Sequence, residues 1–281
     1  MARNLQQRLK EAAAHQRPLV MGVVNVTPDS FSDGGLFLDP ARAVSHALAL
    51  AGQGADLLDV GGESTRPGAD PVDQNDELER VLPVIEGIVS ATDVPVSIDT
   101  SKPDVMRAAV AAGAAMVNDV NGLRAEGAIE AVAGMDVPVC IMHMLGEPRT
   151  MQHDPRYSDV VGDIADFLGE RVAACRAAGM DKDRIVLDPG FGFGKTLAHN
   201  FELLRRLDEL VALGHPVLAG MSRKSMLGTL CGRDNPADRV AASVAAHLLA
   251  VQKGAAIVRV HDVAEMVDAL AVWRATTAIE D

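Results

Sequence analysis

Eight short stretches of the chain end on side chains able to bind polar groups or exchange protons. They are Asn25, Asp59, Asp99, Asn118 with Asp119, His143, Asp188, Ser222-Arg223-Lys224, and Arg259 with His261. One such residue ordinarily caps a loop or faces water, but eight in series call for a common purpose. The set combines carboxylates, amides and cations and offers no evident nucleophile. Charge gathered in a buried mouth is costly unless a ligand or an opposite charge compensates it, so the combination fits recognition of a flat, polar heterocycle. Two Gly- and Pro-rich stretches, 25–35 and 61–68, begin near the first two of these positions and have the composition of loops that close over a site. Of eight aromatic residues in all, Phe31, Phe191 and Phe193 fall in loop-like sequence, where a ring clamp would place them.

Other patterns do not hold. Gly194-Lys195-Thr196 lacks the glycine a phosphate-binding loop requires five residues earlier, where Pro189 stands. Gly190, Gly192 and Gly194 do not have the spacing of a dinucleotide fingerprint. His143, His153 and His199 are too scattered for a zinc site.

The elements that must position these residues follow from hydrophobic patterning. Short β-branched runs at 19–26, 56–60, 94–100, 116–120, 137–143, 184–188, 216–222 and 257–261 alternate with Ala- and Leu-rich helical stretches, the pattern of a parallel sheet with crossover helices. Asp39 before Pro40, Asn235 before Pro236, and Asp262 with Glu265 read as helix starts, while Gly113, Gly179, Gly214 and Gly254 mark helix ends. Gly54-Ala55, Gly113-Ala114 and Gly254-Ala255 form a weak repeat whose fifth residue after the glycine is polar: Asp59, Asn118 and Arg259. Eight repeated units favour an α/β chain folded as one closed (β/α)₈ barrel over an open doubly wound sheet, with its site at the C-terminal ends of the strands. Strand parity puts Ser97 and Asp99 on one face and Val96 and Ile98 on the other. Residues 1–17 read as a helical extension carrying Leu5 and Leu9, and 18–281 as the barrel.

Composition narrows the partners. With 26 Lys and Arg against 39 Asp and Glu among 281 residues, the net charge is −13, which disfavours nucleic acid and anionic membranes. No apolar run approaches the ~20 residues of a membrane span, and the first residues hold no apolar signal core, so secretion is not expected. Three scattered cysteines, Cys140, Cys175 and Cys231, fit a reducing cytoplasm.

The loops also carry a resemblance. Met21-Gly22-Val23-Val24-Asn25-Val26-Thr27-Pro28-Asp29-Ser30-Phe31-Ser32-Asp33-Gly34-Gly35 closely resembles the opening signature of the dihydropteroate synthases. Asp59-Val60-Gly61-Gly62-Glu63-Ser64-Thr65-Arg66-Pro67-Gly68, Ile98-Asp99-Thr100, Asn118-Asp119, Asp188-Pro189-Gly190-Phe191-Gly192-Phe193-Gly194-Lys195, Gly220-Met221-Ser222-Arg223-Lys224-Ser225 and Arg259-Val260-His261 follow in that family's order.

The resemblance implies a transferase of folate biosynthesis, the target of sulfonamides, that condenses 6-hydroxymethyl-7,8-dihydropterin diphosphate with p-aminobenzoate. It implies Asp99, Asn118, Asp188 and Lys224 for the pterin, with Met142 beside them. Asn25, Thr65, Arg259 and His261 would serve the diphosphate and Mg²⁺, Asn25 being the metal ligand. Pro67, Phe193, Lys224 and Ser225 would line the p-aminobenzoate site, and Phe31, Asp33 and Arg66 would take part in loop closure. Asp99, Lys224, Arg259 and His261 stand as the catalytic set. Arg259 and His261 are expected to neutralise the leaving group, and the p-aminobenzoate carboxylate to rest where the helix after Lys224 begins. A homodimer is implied through the helix at 236–253, whose apolar band is broad. Corrinoid-linked methyltransferases share the pterin-binding barrel but should lack the long first loop and the Ser222-Arg223-Lys224-Ser225 run. A non-catalytic paralogue would have no use for Asn25, Arg259 and His261.

Overall fold

Where β-branched runs meet Gly- and Pro-marked boundaries the chain forms strands, and the Ala- and Leu-rich stretches between them form helices. The computed structural model describes residues 2–15, 18–27, 39–66 and 68–277. The strands are β1 Leu19–Asn25, β2 Leu57–Gly61, β3 Val96–Asp99, β4 Met116–Asp119, β5 Val139–Met142, β6 Ile185–Asp188, β7 Leu218–Ala219 and β8 Ile257–Val260. The α-helices are α1 Ala2–His15, α2 Pro40–Gly52, α3 Gln74–Ala91, α4 Pro103–Ala111, α5 Ala128–Ala133, α6 Val160–Ala177, α7 Leu197–Arg205, α8 Leu207–Val211, α9 Ser225–Cys231, α10 Val240–Gln252 and α11 Val263–Thr277. All ladders are parallel, in the order β6-β5-β4-β3-β2-β1-β8-β7. The ring is completed where Leu187 bridges to Val217 and its N–H donates to the Pro216 carbonyl at 2.9 Å. The expected (β/α)₈ barrel is the observed one.

Alternate residues of each strand separate into two cores, as parity requires. Val96, Ile98, Val258 and Val260 face outward into the layer between sheet and helices. Met21, Leu57, Met116, Cys140, Val186 and Ile257 fill the barrel interior, and Leu5, Leu9 and Ala12 of α1 join that same cluster. The first helix therefore plugs the N-terminal mouth. Arg8 ties it to the Asp56 carboxylate, whose other oxygen accepts the Val20 N–H at 3.0 Å.

Local signals mostly act where they were expected. The Asp39 carboxylate accepts the Ala41 N–H at 2.9 Å ahead of Pro40, and Gly113 and Gly254 take the left-handed backbone (φ 109° and 98°) that ends a helix. Asn235 likewise caps ahead of Pro236, its side chain accepting the Ala237 N–H at 3.1 Å, with a 3₁₀ turn, Pro236–Arg239, leading into α10. Two local expectations are corrected. The Asp262 carboxylate, expected to cap α11, is engaged by Arg223 (Nε to Oδ2, 3.0 Å), a charge-assisted pair that outcompetes a neutral cap. The strand expected at 216–222 shrinks to two residues because side chains take the next backbone donors: His247 Nε2 accepts the Met221 N–H at 3.1 Å, and Ser243 Oγ the Arg223 N–H at 2.9 Å.

Candidate active site

Along the inward-facing rows, apolar residues give way to polar ones toward the strand C-termini: Leu57 to Asp59, Met116 to Asn118, Val186 to Asp188, Ile257 to Arg259. Because every strand runs the same way, these polar residues collect at one end of the barrel. Asp59, wholly buried, is their hub: its Oδ2 accepts Asn118 Nδ2 at 3.0 Å and Arg259 Nε at 2.6 Å. Arg259 Nη2 also reaches Asp99 Oδ2 at 2.8 Å. Two residues of the sequence repeat, Asn118 and Arg259, thus meet on the third. Asp59 Oδ1 and the neighbouring Ser97 Oγ are buried and hold no partner.

Asp188 ends β6 opposite Met142 of β5, and its Oδ1 accepts the Gly190 N–H at 2.7 Å. Met142 packs with Met144, Met151 and Phe193 in a small apolar cluster of its own. Lys224 donates to the Phe191 carbonyl and lies 4.6 Å from the Phe193 ring centroid. Phe191 itself is fully buried in the outer core, so its place in a ring clamp is corrected: burying its area against the helices decides its position. Before Lys224, Arg223 holds the left-handed region (φ 58°), unusual for a residue with a side chain. Ser243 Oγ on its N–H and Arg239 Nη1 on its carbonyl (2.8 Å) fix it there. Ser225 is exposed at the first turn of α9.

Other expected residues fall nearby. Asn25 ends β1 half-buried, paired in register with Gly61, and Thr65 and Arg66 lie in the segment after β2, half-buried and exposed respectively. Phe31, Asp33 and Pro67 lie outside the described residues. Among the described residues no three His, Cys, Asp or Glu side chains cluster as a metal site. Sequence reasoning missed Lys195, whose ammonium is buried against His143 Nδ1 (3.0 Å) and the carbonyls of Gly190 (2.9 Å) and Phe193 (3.0 Å). These contacts tie the 189–194 turn to His143. The sequence signals for Lys195, the end of the 188–195 family motif and a failed phosphate-loop pattern, assigned it no role.

Burial dominates the electrostatics. It pushes the Asp99 carboxyl up to about 8, with Arg259 opposing and Asp59, Glu77 and Asp119 reinforcing. It raises Asp188 as well, against the pull of Lys224, and lowers Lys224 to about 8. Burial, then the Arg259 and Arg223 charges, hold His261 down at about 3. Its imidazole is therefore neutral near pH 7 and hydrogen-bonded to Ser222 Oγ (3.0 Å). Without a bound anion His261 is thus a hydrogen-bonding group and Arg259 the charged one beside it.

Asp99 makes stability depend on pH. Its folded value of about 8 lies above the ordinary 3.8, so the folded chain holds a proton that the unfolded chain releases. The stability this confers is complete below about pH 4 and is lost as pH rises through 8. Asp99→Asn removes that loss. The melting temperature of the variant relative to the wild type should rise by roughly 5 °C or more between pH 5.5 and 8.5. A difference that stays flat with pH would contradict the assignment.

Residues 21–261 match the model of the family described as "Pterin binding enzyme". The chain is 48% identical to the dihydropteroate synthase of Escherichia coli (strain K12), over 94% of this chain and 93% of that one. It is 50% identical to that of Neisseria meningitidis serogroup B (strain MC58), over 98% of each. Among solved structures, Xanthomonas albilineans dihydropteroate synthase with 4-aminobenzoic acid superposes with a TM-score of 0.90 at 57% identity, covering 96% of this chain and 98% of that one. A Yersinia pestis dihydropteroate synthase with a sulfonamide drug superposes at 0.88 and 50% identity, covering 92% and 94%. The barrel, the converging polar ring and these likenesses lead to one conclusion: the chain belongs to the dihydropteroate synthases, within the pterin-binding enzyme family.

Proposed function

We propose that the chain joins 6-hydroxymethyl-7,8-dihydropterin diphosphate to p-aminobenzoate, releasing 7,8-dihydropteroate and diphosphate. The observation that carries this reading is the ring of Asp59, Asp99, Asn118 and Arg259 at one end of the barrel, with Asp188 beside it. An amino-pyrimidine edge presents adjacent N–H donors that a carboxylate such as Asp188 accepts in pairs, with the Asn118 amide as a matched partner. Met142 and Phe193 supply an apolar surface for a ring.

Arg259 uses two of its five N–H donors on Asp59 and Asp99. It therefore keeps a fixed orientation and has donors for a diphosphate oxygen, while His261 adds a neutral hydrogen bond. Thr65 completes this set. Mg²⁺ takes hard oxygen ligands and retains its waters, so one Asn25 amide oxygen beside a diphosphate fits it without a carboxylate cage. Bound there, it would withdraw charge from the departing diphosphate.

In our reading the methylene–oxygen bond breaks first and its electron pair leaves with diphosphate. The cationic methylene, conjugated with the pterin, is stabilised by the nearby Asp188 carboxylate and by Asp99 in its ionised form, which gains population as pH approaches 8. The neutral aromatic amine then forms the carbon–nitrogen bond and its proton passes to solvent. No general base is required, because an aromatic amine is unprotonated at neutral pH. Lys224 and Ser225 receive the p-aminobenzoate carboxylate at a site lined also by Pro67 and Phe193, and Phe31, Asp33 and Arg66 take part in loop closure beside it.

A homodimer is part of the proposal. The outward side of α10 exposes Ala241, Ala245 and Leu249, and adjoining helices expose Leu230 and Val272. Ser243, Ala246, His247, Ala250 and Val251 face the barrel instead. These outer apolar residues support a second copy as occupant. No described helix is long and apolar enough to cross a membrane. Cytoplasmic residence is supported by the three unpaired cysteines, Cys140 and Cys175 being buried.

Four measurements test this reading. Dihydropteroate should form from both substrates and be suppressed by a sulfonamide in competition with p-aminobenzoate; no product removes the proposal. Lys224→Met should raise the KM for p-aminobenzoate by roughly tenfold or more, and an unchanged KM would displace its carboxylate from this position. A large secondary isotope effect is expected at the reacting methylene, its absence favouring concerted displacement. Light scattering should report a dimer, which Leu249→Glu shifts to monomer; a monomeric wild type would refute the dimer.

A further inference from the structure

Lys102 lies three residues beyond Asp99, at the turn from β3 into α4, outside the ring described above. Its ammonium contacts two carboxylates from different elements: Glu63, in the segment after β2, and Glu77 Oε2 of α3 at 2.5 Å. Glu77 is completely buried, and its Oε1 holds no partner. A buried carboxylate requires a counter-ion, and Lys102 meets that need. Glu63 does not follow from charge balance alone, since it adds a second negative charge to one cation. Its Oε1 accepts the Val72 N–H at 3.2 Å, so one carboxylate joins the beginning of the 61–72 segment to its end and to Lys102. Arg80 Nη1 donates to the Gly62 carbonyl at 2.9 Å, and a Cβ on Gly62 would come within 2.8 Å of Val81 Cγ1. The segment's base is thus pressed flat on α3. Between these anchors stand Thr65 and Arg66.

We infer that Lys102 is a positioning residue for the proposed condensation, fixing the segment that carries Thr65 and Arg66 by clasping Glu63 against Glu77. Lys102 stays charged in this setting: both carboxylates hydrogen-bond it and raise its pKa over the opposing effect of burial. The inference rests on the proposed reaction.

Lys102→Met alone would strand the buried Glu77 charge, so the test uses Lys102→Met with Glu77→Gln, which removes cation and anion together. Glu63→Ala releases the segment while leaving the Lys102–Glu77 pair intact. Both proteins should melt cooperatively and bind a pterin lacking diphosphate within about twofold of the wild-type Kd. Both should lose roughly tenfold or more in kcat/KM for p-aminobenzoate. Lys102→Arg, retaining the charge, should stay within about threefold of the wild type. Wild-type kcat/KM in the folded double variant would overturn the role; if that variant fails to fold, wild-type kcat/KM in Glu63→Ala would overturn it. Wild-type pterin affinity separates loop positioning from general damage to the barrel. An inactive wild-type chain would remove the reaction and this role together, whereas an active wild type with unimpaired variants would remove the role alone.

Discussion

The contact on which the rest depends is the pairing of Asp59 with Arg259 inside the barrel, extended to Asn118 and Asp99. Asp59 has no exposure at all, and a carboxylate there is tolerable only with a cation and a donor at hydrogen-bond distance. Such a pair adds little net stability over an apolar filling, but losing one partner typically costs about 3–5 kcal/mol. Its effect is to select an arrangement. Two residues 200 positions apart meet only if β2 and β8 both flank β1 in one register, Val23 opposite Asp59 and Met21 opposite Arg259.

This requirement divides the barrel along its axis. Apolar side chains fill the N-terminal half and α1 seals it, so burial there contributes to stability without polar demands. The C-terminal half concentrates charge whose desolvation is only partly offset, as the unpartnered oxygens of Asp59 and Ser97 record. A polar ring-shaped ligand would supply hydrogen bonds that the chain's own groups do not. Stability and recognition thus occupy opposite ends of the same strands.

The segments after the strands are held chiefly by side chains gripping backbone. Lys195 binds two carbonyls and an imidazole, Ser243 and Arg239 hold Arg223 in its left-handed conformation, and Glu63 joins Lys102 to the Val72 N–H. Such bonds fix a loop without extending the sheet, which leaves room at the mouth of the barrel. Burial also sets the protonation states there, keeping His261 neutral and placing Asp99 and Lys224 both near 8.

Much of this was legible in the sequence because the information is local or periodic. Alternation of strand and helix, parity at Ser97 and Asp99, the Asp39 cap and the glycine stops each depend on neighbours a few residues away. The repeat that singled out Asp59, Asn118 and Arg259 located the inward polar row, and the loop motifs carried the family. Only the tertiary structure decided which of these residues touch, since Asp59 pairs with partners 59 and 200 positions distant. It also decided that Phe191 belongs to the core, that Asp262 serves Arg223 in place of capping α11, that β7 stops after two residues, and that burial lowers the His261 pKa. Those outcomes turn on competition among long-range partners and on the loss of water around a side chain, and neither is written in the order of residues alone.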